Sequence, residues 1–363
     1  LLIVGDMDSV SGGYLYNRKL VAFLQSQGDQ VSIIISLPPR NYWRQLTENI
    51  TGDLMKNVAA ANVDILIQDA MVHPAVFYLN RRISKQLNIP LIALVHLLAS
   101  IDQATWHSAW LYRIIERCYL QTVDGIIANS QTTLSQINQL LAGELPPHCI
   151  AVPAGDNFAE VNIDRAGILN RALEPRPLKI LLVGNVIRRK GLHVLLHALG
   201  QLPAQDYRLS VAGRLDMEPG YVAQIKTLIR DAGLNQSVSL LGPVQGEALA
   251  DLYRQHHLLV MPSAYESYGI VYVEAQQFGL PVIGTTAGAA WEIIREGENG
   301  YLIEPKEHAA LGDLLQTLHH DRQLLARLGA NALQAYAAQP RWDKTCADIR
   351  AFLSSQFNTR QNR

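Results

Sequence analysis

The 363-residue sequence predicts an α/β protein made of two domains, each with a parallel sheet. Three observations carry that expectation. The length exceeds what a single hydrophobic core usually serves. Short apolar runs alternate with amphipathic stretches along most of the chain, which is the pattern of parallel strands joined by helical crossovers. The chain also opens twice in the same way: LLIVGDMDSVSGG is followed by Leu20 and Leu24, and ILLVGNVIRRKG by Leu192, Leu195, Leu196 and Leu199. Each opening reads as a buried strand, a glycine loop and an amphipathic helix.

The strands are expected at 1–4, 31–36, 65–68, 91–96 and 125–128 in the first half. In the second they fall at 179–183, 208–212, 237–241, 258–261, 281–284 and 300–303. Several are unbroken Val, Ile and Leu runs, as befits strands covered on both faces. Helices are expected between them at 15–27, 73–86, 104–121, 131–142, 192–202, 221–232, 245–255 and 268–278. The pattern lapses between about 153 and 178. There Glu174-Pro175-Arg176-Pro177 forms a stiff break, since each proline also pushes the preceding residue out of helix. The boundary is therefore set there: 1–174 as one Rossmann-like domain, 175–339 as a second, and 340–363 as a helix returning to the first, with a frayed tail at 360–363. In this architecture ligands bind at the carboxyl ends of the strands, so two such domains facing each other would present two ligands across a cleft.

Composition narrows the function. Hydrophobic residues make up 48 % and charged residues 17 %, which suits a packed core rather than disorder. Lys and Arg number 31 against 32 Asp and Glu, so bulk charge does not recruit nucleic acid. Cys118, Cys149 and Cys346 lie far apart with no CxxC, which excludes a disulfide framework or zinc ribbon and fits a cytoplasmic habit. No apolar run approaches the roughly 20 residues of a membrane span. The opening segment lacks a basic leader and reads as strand and loop rather than signal peptide.

Four constellations could carry chemistry. In Met261-Pro-Ser-Ala-Tyr-Glu266-Ser-Tyr-Gly-Ile-Val-Tyr-Val-Glu274, two glutamates stand eight positions apart, on a loop and on a helix expected to begin near Tyr268. Were the whole span helical, the carboxylates would lie roughly 12 Å apart. That is too far for the paired acids of a glycosidase and suits a clamp on a ligand whose phosphates rest on the helix N-terminus. The same spacing also describes two solvated glutamates. In Val183-Gly-Asn185-Val-Ile-Arg188-Arg189-Lys190-Gly191, three cations follow a buried strand without P-loop spacing, as a diphosphate clamp or as a solvated basic turn. Ser11-Gly12-Gly13 allows a close backbone approach to a ligand or simply makes a tight turn, and GxGxxG is not matched. His96 ends an apolar strand, which is a functional address, although a lone histidine is more often structural.

Together these motifs resemble the retaining glycosyltransferases of GT-B architecture, specifically family 4 (group 1). The resemblance rests on the Gly12-Gly13 loop, VGNVIRRKG, VAG at 211–213, LLGPV at 240–244, PSAYESYGIVYVEA at 262–275, FGLPVI, AGAAWEII and NGYL, in that order. It implies two Rossmann-like domains across a cleft, acceptor domain first and nucleotide-sugar domain second. It implies that Glu266 meets donor hexose hydroxyls and Glu274 the ribose, and that backbone around Ser267, Tyr268, Gly269 and Ile270 meets phosphates and sugar. Lys190 would neutralise the leaving diphosphate, Leu241, Gly242 and Val244 would receive the base, Gly13 would approach the diphosphate, and His96 would contact sugar or acceptor. The family's usual arginine at the phosphate loop is Asn185 here, so Arg188 or Arg189 is expected to replace its charge. Gly288-Ala289 stands where the family has paired glycines. Asp6-Met-Asp8 has the DxD spelling of some metal-binding glycosyltransferases, but it abuts the first strand and reads as a loop capping the next helix.

The implied activity is metal-independent transfer of a hexosyl unit, with retention, from a nucleoside diphosphate sugar (UDP ahead of GDP) to a saccharide, lipid-linked or small-molecule acceptor, without a cofactor. The competing expectations are a nucleotide-sugar epimerase and a non-catalytic sugar-nucleotide-binding protein. Trp106, Trp110, Tyr112, Arg113, Arg117 and Tyr119 share one expected helix and could touch the inner membrane face or stack on a sugar, although such a set is more often a half-buried packing face with solvated arginines. Against that, residues 1–174 hold 12 Lys and Arg against 15 Asp and Glu.

Overall fold

The computed structural model describes residues 1–9, 11–35, 42–102, 109–158, 161, 163–175 and 177–357. Ser36, Trp106, Arg176 and the 358–363 tail, all invoked by the sequence expectations, lie outside the described residues. The chain divides into two compact units, one of residues 1–153 with 342–363, the other of residues 154–341.

Unit 1 holds strands β1 Leu2–Ile3, β2 Ile34–Ile35, β3 Leu66–Asp69, β4 Leu91–Val95, β5 Gly125–Ala128 and β6 His148–Ile150 in the order β2-β1-β3-β4-β5-β6, with every pairing parallel. Its centre follows from sequence: LIALV and GIIA are buried at every position, as strands with helices on both faces must be. The chain order reverses between β1 and β3, which places the switch point at their carboxyl ends. The last helix, Trp342–Phe357, packs on this unit. Trp342 sits edge-on to Tyr16, Thr345 donates to the Val152 carbonyl at 2.8 Å, and Arg350 pairs with Asp29 at 2.7 Å. Gly125 leaves room for Phe357, since a β-carbon there would lie 2.7 Å from its ring.

Unit 2 holds β7 Leu178–Val183, β8 Tyr207–Ala212, β9 Val238–Gly242, β10 Leu258–Val260, β11 Val282–Thr285 and β12 Gly300–Ile303 in the order β12-β11-β10-β7-β8-β9, again all parallel. Here the reversal falls between β7 and β10, the two strands that lead into the basic loop and the two-glutamate loop.

Several sequence expectations change. The chain crosses between units at 153/154 rather than at 174. The stretch expected to lack pattern contains a helix, Arg165–Ala172, capped by the Asp164 carboxylate on the Gly167 amide. Its Ile168 lies against Gly279 and Gly329, whose missing side chains let three backbones approach closely. Its Arg171 donates to the Phe278 and Gly279 carbonyls at 2.9 and 2.8 Å, at the end of helix Ile270–Gln277. Burial lowers that guanidinium to about 10. Of the strand expected over 31–36, the described residues that pair in the ladder are Ile34 and Ile35. β6, Tyr42–Thr51, Asp53–Ala61, His308–His320 and Arg322–Ala337 had no counterpart among the expected elements. The helix expected over 104–121 is described from 109: Ala109–Leu120 buries Tyr119 and leaves Trp110, Arg113 and Arg117 exposed. No helix among the described residues is long and apolar enough to cross a membrane.

Candidate functional site

In unit 2 the loop after β7 turns tightly through Arg188–Lys190 and reaches Gly191, whose φ of 71° and position against the Pro262 carbonyl (1.9 Å from an added β-carbon) admit only glycine. That turn sends the three cations different ways. Lys190 Nζ reaches Glu266 Oε1 at 2.5 Å. Arg189 donates to the Tyr265 carbonyl at 3.0 Å. Arg188 turns instead to helix Pro219–Asp231, where it donates to Gln224 and lies over the Tyr221 ring. The expected cluster of three is thus a pair at the Glu266 loop, with Arg188 directed elsewhere. Asn185 accepts the Arg214 amide at 3.3 Å, so it serves the backbone beside Gly213.

Glu266 is not helical, so the 12 Å separation expected from a wholly helical span does not apply. Its backbone forms an isolated parallel bridge to Gly288, and Ala289 N–H donates to its carbonyl at 2.8 Å. Gly288 has φ 95°, and a β-carbon there would sit 2.0 Å from the Glu266 carbonyl oxygen. The carboxylate also accepts from Ser263 Oγ at 2.7 Å, and Thr285 Oγ1 holds the Ser263 carbonyl. Burial pushes the Glu266 carboxyl up, but Lys190 and Arg189 outweigh it and hold the group below its ordinary range. It is a fixed, buried anion.

Four residues on, helix Ile270–Gln277 starts at Gly269 with no side-chain cap. Uncapped first-turn N–H groups with the positive end of the helix dipole make an anion site. Ser267, Gly269, Ile270 and Val271 are partly exposed there, whereas the Tyr268 and Tyr272 side chains are buried. Glu274 follows on the same helix. Its Oε1 accepts from Asn157 at 2.7 Å and its Oε2 from the Tyr253 hydroxyl at 2.9 Å. Burial raises its pKa, and the two hydrogen bonds offset only part of the rise. The edge strand β9 leaves Leu241 exposed and Gly242 buried with its carbonyl accepting from Gly213, and Val244, just beyond the strand, is half-buried.

Unit 1 carries its own polar cluster at the carboxyl ends of β3 and β4. Asp69 ends β3 and His96 follows β4, while Gly13 and Asn17 lie on helix Gly12–Ser26 after β1. Ser11 caps that helix through the Tyr14 amide. The expected capping by Asp6-Met-Asp8 is therefore corrected: both carboxylates are exposed, and Asp6 accepts from the Asp8 amide. His96 Nε2 lies 3.1 Å from Asn17 Oδ1, and Asn17 Nδ2 donates to Asp69 Oδ2 at 2.7 Å. Burial lowers the His96 pKa, against the pull of Asp69. Gly13 fits beside the ring, where a β-carbon would lie 3.3 Å from His96 Cδ2. Among the described residues no three His, Cys, Asp or Glu side chains converge as a metal site.

The sequence did not point to Asn17, Asp69, Asn157, Tyr253 or Ser263. Only Ser263 had a local signal, three residues before Glu266 on the same loop.

The family model for glycosyl transferases group 1 matches residues 170–335, the segment that holds Lys190, Glu266, Glu274 and helix Ile270–Gln277 but not Asn157. Residues 170–335 are a group 1 glycosyltransferase domain. Among curated proteins, a D-inositol 3-phosphate glycosyltransferase of Catenulispora acidiphila is 28 % identical over 340 residues, 88 % of this chain and 79 % of that protein. The chain spans about two thirds of the length of several further relatives of that name. Among solved structures, the sucrose-phosphate synthase of Thermosynechococcus elongatus superimposes with a TM-score of 0.82 at 20 % identity, covering 98 % of both chains. Anabaena Alr3699/HepE, in complex with UDP and glucose, gives 0.77 at 21 % identity, covering 98 % of this chain and 99 % of that one. The fold of this chain is GT-B.

Proposed function

We propose that this glycosyltransferase moves a hexosyl unit from a nucleoside diphosphate sugar, UDP-linked ahead of GDP-linked, to a hydroxyl acceptor with retention at the anomeric carbon. The observation that carries the reading is the part-buried Lys190–Glu266 pair beside an uncapped helix N-terminus, with the hydrogen-bonded Glu274 on the same helix. The N-terminus of Ile270–Gln277 and Lys190 suit a diphosphate, and both favour the charge that develops as the sugar–phosphate bond breaks. Glu266, held as an anion, accepts from hexose hydroxyls, and Glu274 accepts from ribose hydroxyls. The acceptor hydroxyl attacks the anomeric carbon on the face the diphosphate leaves, and a phosphate oxygen takes its proton. These fixed positive groups stand where a metal would otherwise neutralise the leaving group, so transfer is expected to need no added cation.

The neighbour crystallised with UDP and glucose supports the donor class. The relatives named for D-inositol 3-phosphate support a small phosphorylated polyol among the saccharide, lipid-linked and small-molecule acceptors. The test is a panel of UDP- and GDP-sugars with and without these acceptors, read by nucleotide release and by NMR of the new anomeric centre. Acceptor-dependent release with retained configuration, unchanged by EDTA, is expected. Donor isomerised without acceptor would make the protein an epimerase, binding without turnover would make it a binding protein, and wild-type rates in Glu266→Gln would remove the site assignment.

A further inference from the structure

The cluster in unit 1 fixes more than the position of His96. Asp69 is buried, and each of its oxygens already accepts: Oδ1 from the Met71 amide at 3.0 Å, and Oδ2 from Asn17 Nδ2 at 2.7 Å. Turning the Asn17 amide over would set two oxygens against each other, so Asn17 must show its oxygen to His96. An oxygen 3.1 Å from Nε2 requires a proton on Nε2. A neutral imidazole has only that one ring proton, and burial keeps this ring neutral near pH 7. Nδ1 is then a bare lone pair. It makes no hydrogen bond among the described residues, and the side chain remains 16 % exposed.

We propose that Asp69 and Asn17 are positioning residues that hold His96 as the Nε2–H tautomer, so that Nδ1 accepts a hydrogen bond from a sugar hydroxyl. The second half rests on the transferase reading given above, whereas the tautomer itself does not. The chain of constraint runs one way: an acceptor-only carboxylate orients an amide, the amide orients an imidazole, and the imidazole offers a ligand an acceptor rather than a donor.

The test uses the whole chain labelled with ¹⁵N-histidine, free of ligand, in a long-range ¹H–¹⁵N correlation above the pKa of the ring. The His96 signals are assigned by their absence in His96→Gln. The wild type is expected to show Nε2–H. In Asp69→Asn the new amide can donate to Asn17 Oδ1, Asn17 turns its NH₂ to Nε2, and the ring is expected to switch to Nδ1–H. A wild type with Nδ1–H or an even mixture, or an Asp69→Asn spectrum still showing Nε2–H alone, overturns the proposal. Should Asp69→Asn fail to fold, Asn17→Leu removes the Nε2 acceptor and is expected to leave a mixture; an unchanged single tautomer overturns it equally. For the ligand half, His96→Asn keeps an acceptor near the Nδ1 position and is expected to lose less than about tenfold in kcat/KM, against about 10- to 100-fold for His96→Ala. Equal losses overturn the acceptor role. A wild type silent towards every donor refutes the transferase reading, while the spectra decide the tautomer independently.

Discussion

Replacing Lys190 by methionine tests whether the ion pair with Glu266 organises the proposed donor site. The two groups lie 2.5 Å apart, with side-chain exposures of 17 % and 7 %. At an effective dielectric of about 20, their attraction is of order 7 kcal/mol. Much of that is offset by the cost of holding both ions out of water, so the loss on breaking the pair is expected at about 3–5 kcal/mol. The pH dependence gives the sharper readout. In the wild type the Glu266 pKa lies below its unfolded value, so its contribution is present above the unfolded pKa of about 4.3 and is lost as pH falls through the folded pKa. In Lys190→Met, burial is opposed only by Arg189 and the Ser263 hydroxyl, and the carboxyl is expected to move above its unfolded value. Its contribution is then largest in acid and is lost as pH rises through the new folded pKa. Urea denaturation of both proteins between pH 4 and 8 should show opposite slopes attributable to this group. The double variant Lys190→Met/Glu266→Gln should recover most of the loss, because no buried charge is left without a partner. A Lys190→Met protein within 1 kcal/mol of wild type with an unchanged slope, or a double variant as unstable as the sum of the singles, would refute the reasoning.

Three further outcomes follow from the same geometry. Gly288→Ala removes no functional group yet should cost about 3 kcal/mol or more and abolish transfer, because its β-carbon collides with the Glu266 carbonyl, whereas Gly297→Ala, at φ 71° in open space, should cost only about 1 kcal/mol; denaturant midpoints compare them. Tyr253→Phe takes a donor from the Glu274 carboxylate, so the already raised pKa should climb further, and the pH midpoint at which nucleotide affinity falls should move up; calorimetric titration with UDP showing a downward move would contradict this. Arg171→Met strips two carbonyls at the end of helix Ile270–Gln277 of a buried guanidinium and should cost about 2–3 kcal/mol by urea denaturation, with no change in the pH profile of transfer.

The central strands were legible because a strand covered on both faces has to be apolar throughout, as LIALV and LKILLV are. The edges were not. β6 is His-Cys-Ile with alternating exposure, and its three residues carry neither a hydrophobic run nor a turn signal. The domain boundary was misplaced for a related reason. Pro175 and Pro177 break the chain locally, but unit membership is decided by what Ile168 and Arg171 touch, and Phe278, Gly279 and Gly329 lie more than a hundred residues away. Helix Arg165–Ala172 joins unit 2 through glycines at 279 and 329 that no local reading connects to it.

The site divides along the same line. Glu266, Glu274 and Lys190 were identifiable because each has a residue type and an ordered motif that point to charge chemistry. Their partners were not, since the sequence gives no register between a helix and a distant loop. Asn157 stands 117 positions from Glu274, and Asn17 stands 52 from Asp69. Strand order supplies the missing information. Gly13 follows β1, Asp69 ends β3 and His96 follows β4, three neighbouring strands of one sheet, and Lys190 and Glu266 come after β7 and β10, which are neighbours in the other. Both groups lie where the chain order reverses, which is where parallel sheets leave a crevice at their carboxyl ends. Topology brings those loops together, and the last few residues decide which side chain arrives. Arg188 and Lys190 are two positions apart in one turn, yet one lies on Tyr221 and the other meets Glu266. A count of cations in a loop therefore overstates the charge offered to a leaving group. The direction set at Gly191, where only glycine fits against Pro262, determines how much of it reaches the site.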